Sequence, residues 1–102
     1  IGMAERPMMM EYSEGQGKYD YHIDLGPSRL ASTRKLGFTL FLNDEYEGGE
    51  FQIKTGRENY IPPHQETGNL LFFPSYLVHR VTLVTEGTRS VLVGWVHGNS
   101  FM

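Results

Sequence analysis

The sequence predicts an all-β fold: a double-sheet jelly roll, or double-stranded β-helix, with little helix. Three observations predict it. Short apolar or aromatic runs alternate with clusters of Gly, Pro, Asn and Asp along the chain, which is the punctuation of short antiparallel strands. No segment sustains a 3.6-residue apolar period between helix caps. The run at 69–73 is almost continuously apolar, as a strand covered on both faces is.

Taken in order, residues 8–12 form a first strand. Residues 18–25 form a second, led by the aromatic and β-branched content of Tyr19-Asp20-Tyr21-His22-Ile23-Asp24. Gly26-Pro27-Ser28 ends it, and the polar stretch to Arg34 is a loop. Residues 35–42 are a third strand, with Leu36, Phe38, Leu40 and Leu42 on one face and Gly37, Thr39 and Phe41 on the other. Residues 43–49 read as a turn. Residues 50–55 alternate Phe51 and Ile53 with polar neighbours. Residues 56–68 read mostly as loop, with Tyr60-Ile61 as a short pairing segment before Pro62-Pro63. Strands at 69–73, 77–84 and 89–97 close the series. Seven or so strands would make two sheets around an open-ended pocket.

A chain of 102 residues suits one domain with a modest core. Its 21% charged and 39% hydrophobic residues are an ordinary soluble composition, which excludes a disordered chain. A formal net charge of -3 gives no electrostatic case for nucleic acid. The absence of cysteine excludes disulfides, thiolate metal sites and cysteine nucleophiles. No apolar run approaches the roughly 18 residues of a membrane span. No signal peptide is evident, and a cytoplasmic location without membrane association is the expectation. Ile1-Gly2-Met3 does not look like a natural initiator. The start reads as that of a fragment, or as a processed or engineered one, and residues 1–102 are expected to form a single domain.

His22 and Asp24 carry the most information. On a strand, residues i and i+2 share a face, so an imidazole and a carboxylate would project side by side. They make two-thirds of the 2-His-1-carboxylate triad that holds non-haem Fe(II) and leaves positions open. His79 opens a β-branched run, and Arg89 follows ten residues later. Two strands joined by a short turn span that gap, so an inward His can sit near an inward Arg. The first supplies a metal ligand and the second a guanidinium that grips a carboxylate bidentately. Blander readings stand beside these. His22 with Asp24 could be a surface hydrogen-bonded pair, Arg89 a solvated turn charge, and Tyr12 and Trp95 core or rim aromatics. Tyr19 and Tyr21 could line a cleft or fill the core. His64 lies in a Pro-rich loop, and His97 is not taken as a ligand. Glu47-Gly48-Gly49-Glu50 reads as a tight connection whose glycines permit positive φ.

In this order the motifs resemble the Fe(II)- and 2-oxoglutarate-dependent oxygenases, specifically the prolyl 4-hydroxylase-like branch with its PKHD-type hydroxylases. The resemblance rests on Tyr12-Ser13-Glu14-Gly15, His22-x-Asp24, Arg34-Lys35 leading to Glu47-Gly48-Gly49-Glu50, Phe73-Pro74-Ser75 before His79, Arg89, and Gly94-Trp95-Val96-His97-Gly98. It covers the chain from about Tyr12 onward. It implies iron ligation by His22, Asp24 and His79, and capture of the distal carboxylate of 2-oxoglutarate by Arg89 with help from Tyr12. Trp95 corresponds to a tryptophan near the cofactor. A hydroxylated residue that contacts the cofactor in some relatives falls at Gly37 here, and Thr39 is the expected substitute. Tyr12 precedes His22 by one residue more than in many relatives. Family members carry N-terminal helices packed on one sheet, and no such segment is read here. The resemblance therefore implies that residues 1–102 are a single catalytic jelly-roll core, the C-terminal part of a longer family domain, or a domain that lacks a partner.

The implied reaction is hydroxylation of an unactivated C–H bond, with 2-oxoglutarate converted to succinate and CO2. The implied substrate is a prolyl or other residue of a peptide or protein. Fe(II), 2-oxoglutarate and O2 are the implied cofactors, ascorbate a candidate addition, and a homodimer a candidate assembly. Val78, Val81, Leu71 and Phe73 are expected as apolar walls. Two alternatives remain at this stage: a cupin-like metal-binding jelly roll with another reaction, and a non-catalytic fragment or binding module.

Overall fold

Alternating and continuous apolar runs become strands wherever a partner completes their hydrogen bonds. The computed structural model describes residues 5–16, 19–24 and 33–98. Among these residues there are nine strands: β1 (Met8–Ser13), β2 (Tyr19–His22), β3 (Arg34–Phe41), β4 (Tyr46–Gly48), β5 (Phe51–Thr55), β6 (Glu58–Tyr60), β7 (Leu70–Pro74), β8 (His79–Val81) and β9 (Val84–His97). No α-helix occurs among them. One sheet has the order β1-β9-β3-β7, with β4 also paired to β9. The other has the order β2-β8-β5-β6. Every pairing is antiparallel. This is the expected jelly roll.

The alternation read in β3 holds, and the structure decides which face is inside. Gly37, Thr39 and Phe41 are buried, while Leu36 and Leu42 lie exposed on the other side. Phe51, Ile53, Phe73 and Val81 make a buried cluster, with Leu71 and Leu77 packed against it. Burying one such side chain contributes roughly 1.5–3 kcal/mol, so this cluster is the main apolar tie to the smaller sheet.

Strand β7 is covered on one face only, since Leu70 and Phe72 are exposed on the other. Several boundaries also differ from the sequence reading. Strand β4 falls inside the expected turn at 43–49, because Tyr46 and Glu47 pair with Gly87 and Glu86. The same pairing starts β9 at Val84 rather than at residue 89. Backbone hydrogen bonds thus hold a polar stretch that has no apolar pattern to reveal it. Strand β6 spans Glu58–Tyr60 and leaves Ile61 outside, since it forms a hairpin with β5. Strand β8 is only His79–Val81, because the N–H of Leu77 closes a turn onto the Pro74 carbonyl.

Candidate active site

A cavity of about 260 Å³ lies between the sheets, with Asp24, Thr39, His79 and Arg89 among its polar groups. That is slightly below the roughly 300 Å³ at which pockets for drug-sized ligands begin, a scale that suits a small acid. Val81, Phe51, Phe73 and Val91 are among its apolar walls.

Strand β8 delivers His79 into this cavity, 4% exposed. The ring lies between Phe51, stacked at 5.3 Å, and Phe73, tilted at 4.6 Å. Its Nδ1 is 3.0 Å from the Leu77 carbonyl oxygen. A carbonyl only accepts, so Nδ1 carries the proton. In the neutral ring, Nε2 then presents a lone pair, and it faces Asp24 Oδ1 at 3.4 Å. A cation shared by the two atoms would satisfy both. Atoms at right angles on one ion at about 2.1 Å lie about 3 Å apart, close to the separation seen.

Asp24 sits in a bend just beyond β2, not on the strand itself. Its N–H donates to the Ser75 carbonyl at 3.0 Å, and its own carbonyl accepts from Arg34 Nη1 at 3.2 Å. Its Oδ2 accepts the Trp95 indole N–H at 2.9 Å. The Phe-Pro-Ser motif therefore has a structural job. Ser75 is fully buried and ties the start of β3 to the Asp24 bend, through its N–H on the Lys35 carbonyl and its hydroxyl on the Arg34 carbonyl. His22 stands directly opposite His79 in the β2/β8 register. Its side chain lies outside the described residues, as do those of Tyr19 and Asp20.

Arg89 comes from β9, in the opposite sheet to His79. The two therefore meet across the cavity and not as neighbours in a hairpin. Arg89 is 3% exposed, and its Nε has no hydrogen-bond partner among the described residues. Burial pulls its guanidinium below its ordinary pKa, while the phenols of Tyr46 and Tyr12 act in the other direction. Arginine keeps its charge all the same, so a cation short of acceptors faces the cavity. Gly49 makes room for it. A Cβ there would lie 2.8 Å from Arg89 Cδ, and its φ is +59°.

Tyr12 is opposite Arg89 in the β1/β9 register and lines the cavity. Thr39 is 5% exposed on the inner face of β3 and lines it too. Trp95 also lines it, and reaches Asp24. At Gly37 no side chain would fit, since a Cβ would lie 2.6 Å from the Phe73 ring and 3.1 Å from Asp24 Oδ2. Leu71, expected as a wall, packs against the Phe51 cluster and is not part of the cavity lining. Val78, also expected there, is 36% exposed and lies outside the lining. It precedes the short β8, while Val81 takes the inward position. Tyr21 neither lines the cavity nor fills the core. It lies with Arg80 and Lys54 on the outer side of the smaller sheet and donates to Asn59. His64 is exposed, and His97 is buried against Glu5 and Thr33. Sequence reasoning missed Glu5, Arg34, Tyr46 and Ser75 as contributors. Arg34 was visible only as part of a motif, and Glu5 and Tyr46 carried no local signal.

One cavity of a jelly roll thus brings together an imidazole–carboxylate pair and a buried, under-partnered arginine. The family model described as the 2OG-Fe(II) oxygenase superfamily matches residues 7–97. The chain belongs to that family. A PKHD-type hydroxylase of Synechococcus sp. (strain CC9311) is 41% identical over 91 residues, covering 86% of this chain and 40% of its own length. A PKHD-type hydroxylase of Prochlorococcus marinus is 40% identical over 93 residues, covering 87% and 40%. This chain thus spans about 40% of the length of these relatives. Among solved structures, a Pseudomonas putida prolyl-4-hydroxylase superposes with a TM-score of 0.76 at 21% identity, covering 96% of this chain and 55% of that one. A Trichoplax adhaerens prolyl hydroxylase, in complex with a hypoxia inducible factor oxygen degradation domain peptide fragment, gives a TM-score of 0.74 at 21% identity, covering 90% and 43%. Both structures share the fold.

Proposed function

We propose that this chain carries the active site of an Fe(II)- and 2-oxoglutarate-dependent hydroxylase acting on an unactivated C–H bond of a peptide or protein, a prolyl residue foremost. One observation carries the reading. A single cavity presents His79 Nε2 toward Asp24 Oδ1 at 3.4 Å and also a buried Arg89 whose Nε lacks a partner. The donor set suits the group. Imidazole and carboxylate are ligands for non-haem Fe(II), and a guanidinium is the natural partner for a carboxylate.

His22, Asp24 and His79 would hold the iron, and Arg89 the distal carboxylate of 2-oxoglutarate. Tyr12 and Thr39 would share the wall that the co-substrate touches. When bound, iron and 2-oxoglutarate supply the oxidising chemistry: with O2 they yield succinate, CO2 and a hydroxylated product. This chain's residues do the rest. The Leu77 carbonyl holds the His79 proton on Nδ1 and keeps Nε2 available as a donor atom. Phe51, Phe73 and Val81 exclude water and lower the local dielectric, which strengthens the Arg89–carboxylate pair. The peptide in the Trichoplax neighbour supports a peptide substrate.

The test is an anaerobic titration of wild type and His79→Ala with Fe(II) and 2-oxoglutarate, followed by succinate measurement in air. Wild type is expected to give a weak visible charge-transfer band and to form succinate. His79→Ala should lose both. Metal-loaded wild type without the band, or unchanged succinate from His79→Ala, overturns the reading.

A further inference from the structure

We propose that Trp95 is a positioning residue that makes Asp24 a one-oxygen metal ligand and so keeps a coordination position open. The inference rests on the metal reading above and adds a role for residues that do not touch the ion.

A carboxylate can ligate through one oxygen or two. In a six-position site with two imidazoles, one-oxygen ligation leaves about three positions and two-oxygen ligation about two. What the ring N–H of Trp95 does therefore decides how many small molecules the ion can hold. It donates to Asp24 Oδ2 at 2.9 Å, while Oδ1 faces His79 Nε2 at 3.4 Å. Oδ2 is also walled on the β3 side, where even a Cβ at Gly37 would come within 3.1 Å of it. The carboxylate is thus split into one oxygen turned toward the imidazole and one turned into the sheet.

Trp95 is itself held. The Arg34 guanidinium lies 3.9 Å from the centre of its ring, and Arg34 Nη1 donates to the Asp24 carbonyl at 3.2 Å. One side chain thereby grips both the indole and the backbone of its target. Glu5 fixes Arg34 through two bonds, Nε to Oε2 at 2.8 Å and Nη2 to Oε1 at 2.5 Å. His97 Nε2 donates to Glu5 Oε2 at 2.9 Å, and its Nδ1 meets the Thr33 hydroxyl at 2.8 Å. Outer partners of this kind orient first ligands in metal sites generally. A half-buried salt bridge and a buried histidine beside the cavity, but not lining it, are otherwise without a use in the reaction.

The test uses Mn(II) as the probe and counts its exchangeable waters by water-proton relaxation. Trp95→Phe keeps a flat ring under Arg34 and removes only the donor. Wild type is expected to hold about three exchangeable waters and Trp95→Phe about two. Three waters on both proteins overturn the proposal while leaving the metal reading intact. No Mn(II) binding by wild type overturns both. Should Trp95→Phe fail to fold, Arg34→Lys withdraws the flat guanidinium and lets the indole turn. The same fall toward two waters is expected, and an unchanged count of three overturns the proposal.

Discussion

Arg89→Met should leave the ligand-free chain at least as stable as wild type while abolishing its response to 2-oxoglutarate. The guanidinium is 3% exposed and its Nε is unpartnered. A buried donor left unsatisfied costs about 1–3 kcal/mol. Methionine has a similar reach without the charge, and replacing a buried charge by a well-packed apolar group is often neutral or stabilising. The variant forfeits the bond to Tyr46, a loss of about 1 kcal/mol. The net is a gain of about 0–2 kcal/mol. For a domain of this size about 4–8 °C accompanies each kcal/mol, so Tm should rise by between nothing and about 15 °C. Ligand acts in the opposite sense. At a hundred times its Kd, 2-oxoglutarate should stabilise wild type by about 2.7 kcal/mol, or roughly 10–20 °C. Arg89→Met should show no such shift. Circular dichroism melts with Mn(II), with and without 2-oxoglutarate, measure both quantities. A variant that keeps the ligand shift, or that melts well below wild type without ligand, refutes the reasoning.

Two further outcomes follow from the same geometry. The Arg34 hydrogen bond, helped by His97 and opposed by burial, holds the Glu5 carboxyl below its ordinary value. A depressed folded pKa contributes stability that is complete above the unfolded value of about 4.3 and is lost as pH falls through the folded one. Wild type should therefore exceed Glu5→Gln in urea midpoint at neutral pH, and the gap should close progressively below about pH 4.3; a gap independent of pH would sink this assignment. Gly49→Ala places a methyl 2.8 Å from Arg89 Cδ at a φ of +59°. It should lower stability by about 1–3 kcal/mol and weaken 2-oxoglutarate binding in calorimetry, whereas unchanged affinity would show that Arg89 needs no such clearance.

Much of the site was legible because its chemistry lies in residue types at short spacing. His79 and Arg89 both lie in the cavity, as the resemblance implied, and Tyr12 and Thr39 line it with them. Strand β3 was equally legible, since burial of one face enforces a period of two, and β5 formed where its apolar residues alternate although Gln52 is buried with them. Strand β4 and the start of β9 were not. Their residues are largely exposed and polar, and backbone pairing between them leaves no mark on composition. Asp24 looked like a strand residue and is instead held in a bend by Ser75.

By itself, the sequence determined the fold class, the two alternating sets of β3, and the identity of the groups that could meet a metal and an acid. Only the tertiary structure decided how those groups meet. His79 and Arg89 lie on opposite sheets, so their approach depends on how the two sheets stack and not on the ten-residue interval. Trp95 reaches Asp24, and Glu5 reaches Arg34 and His97, across long stretches of chain. Such contacts are fixed by strand order and sheet packing, which no local pattern encodes.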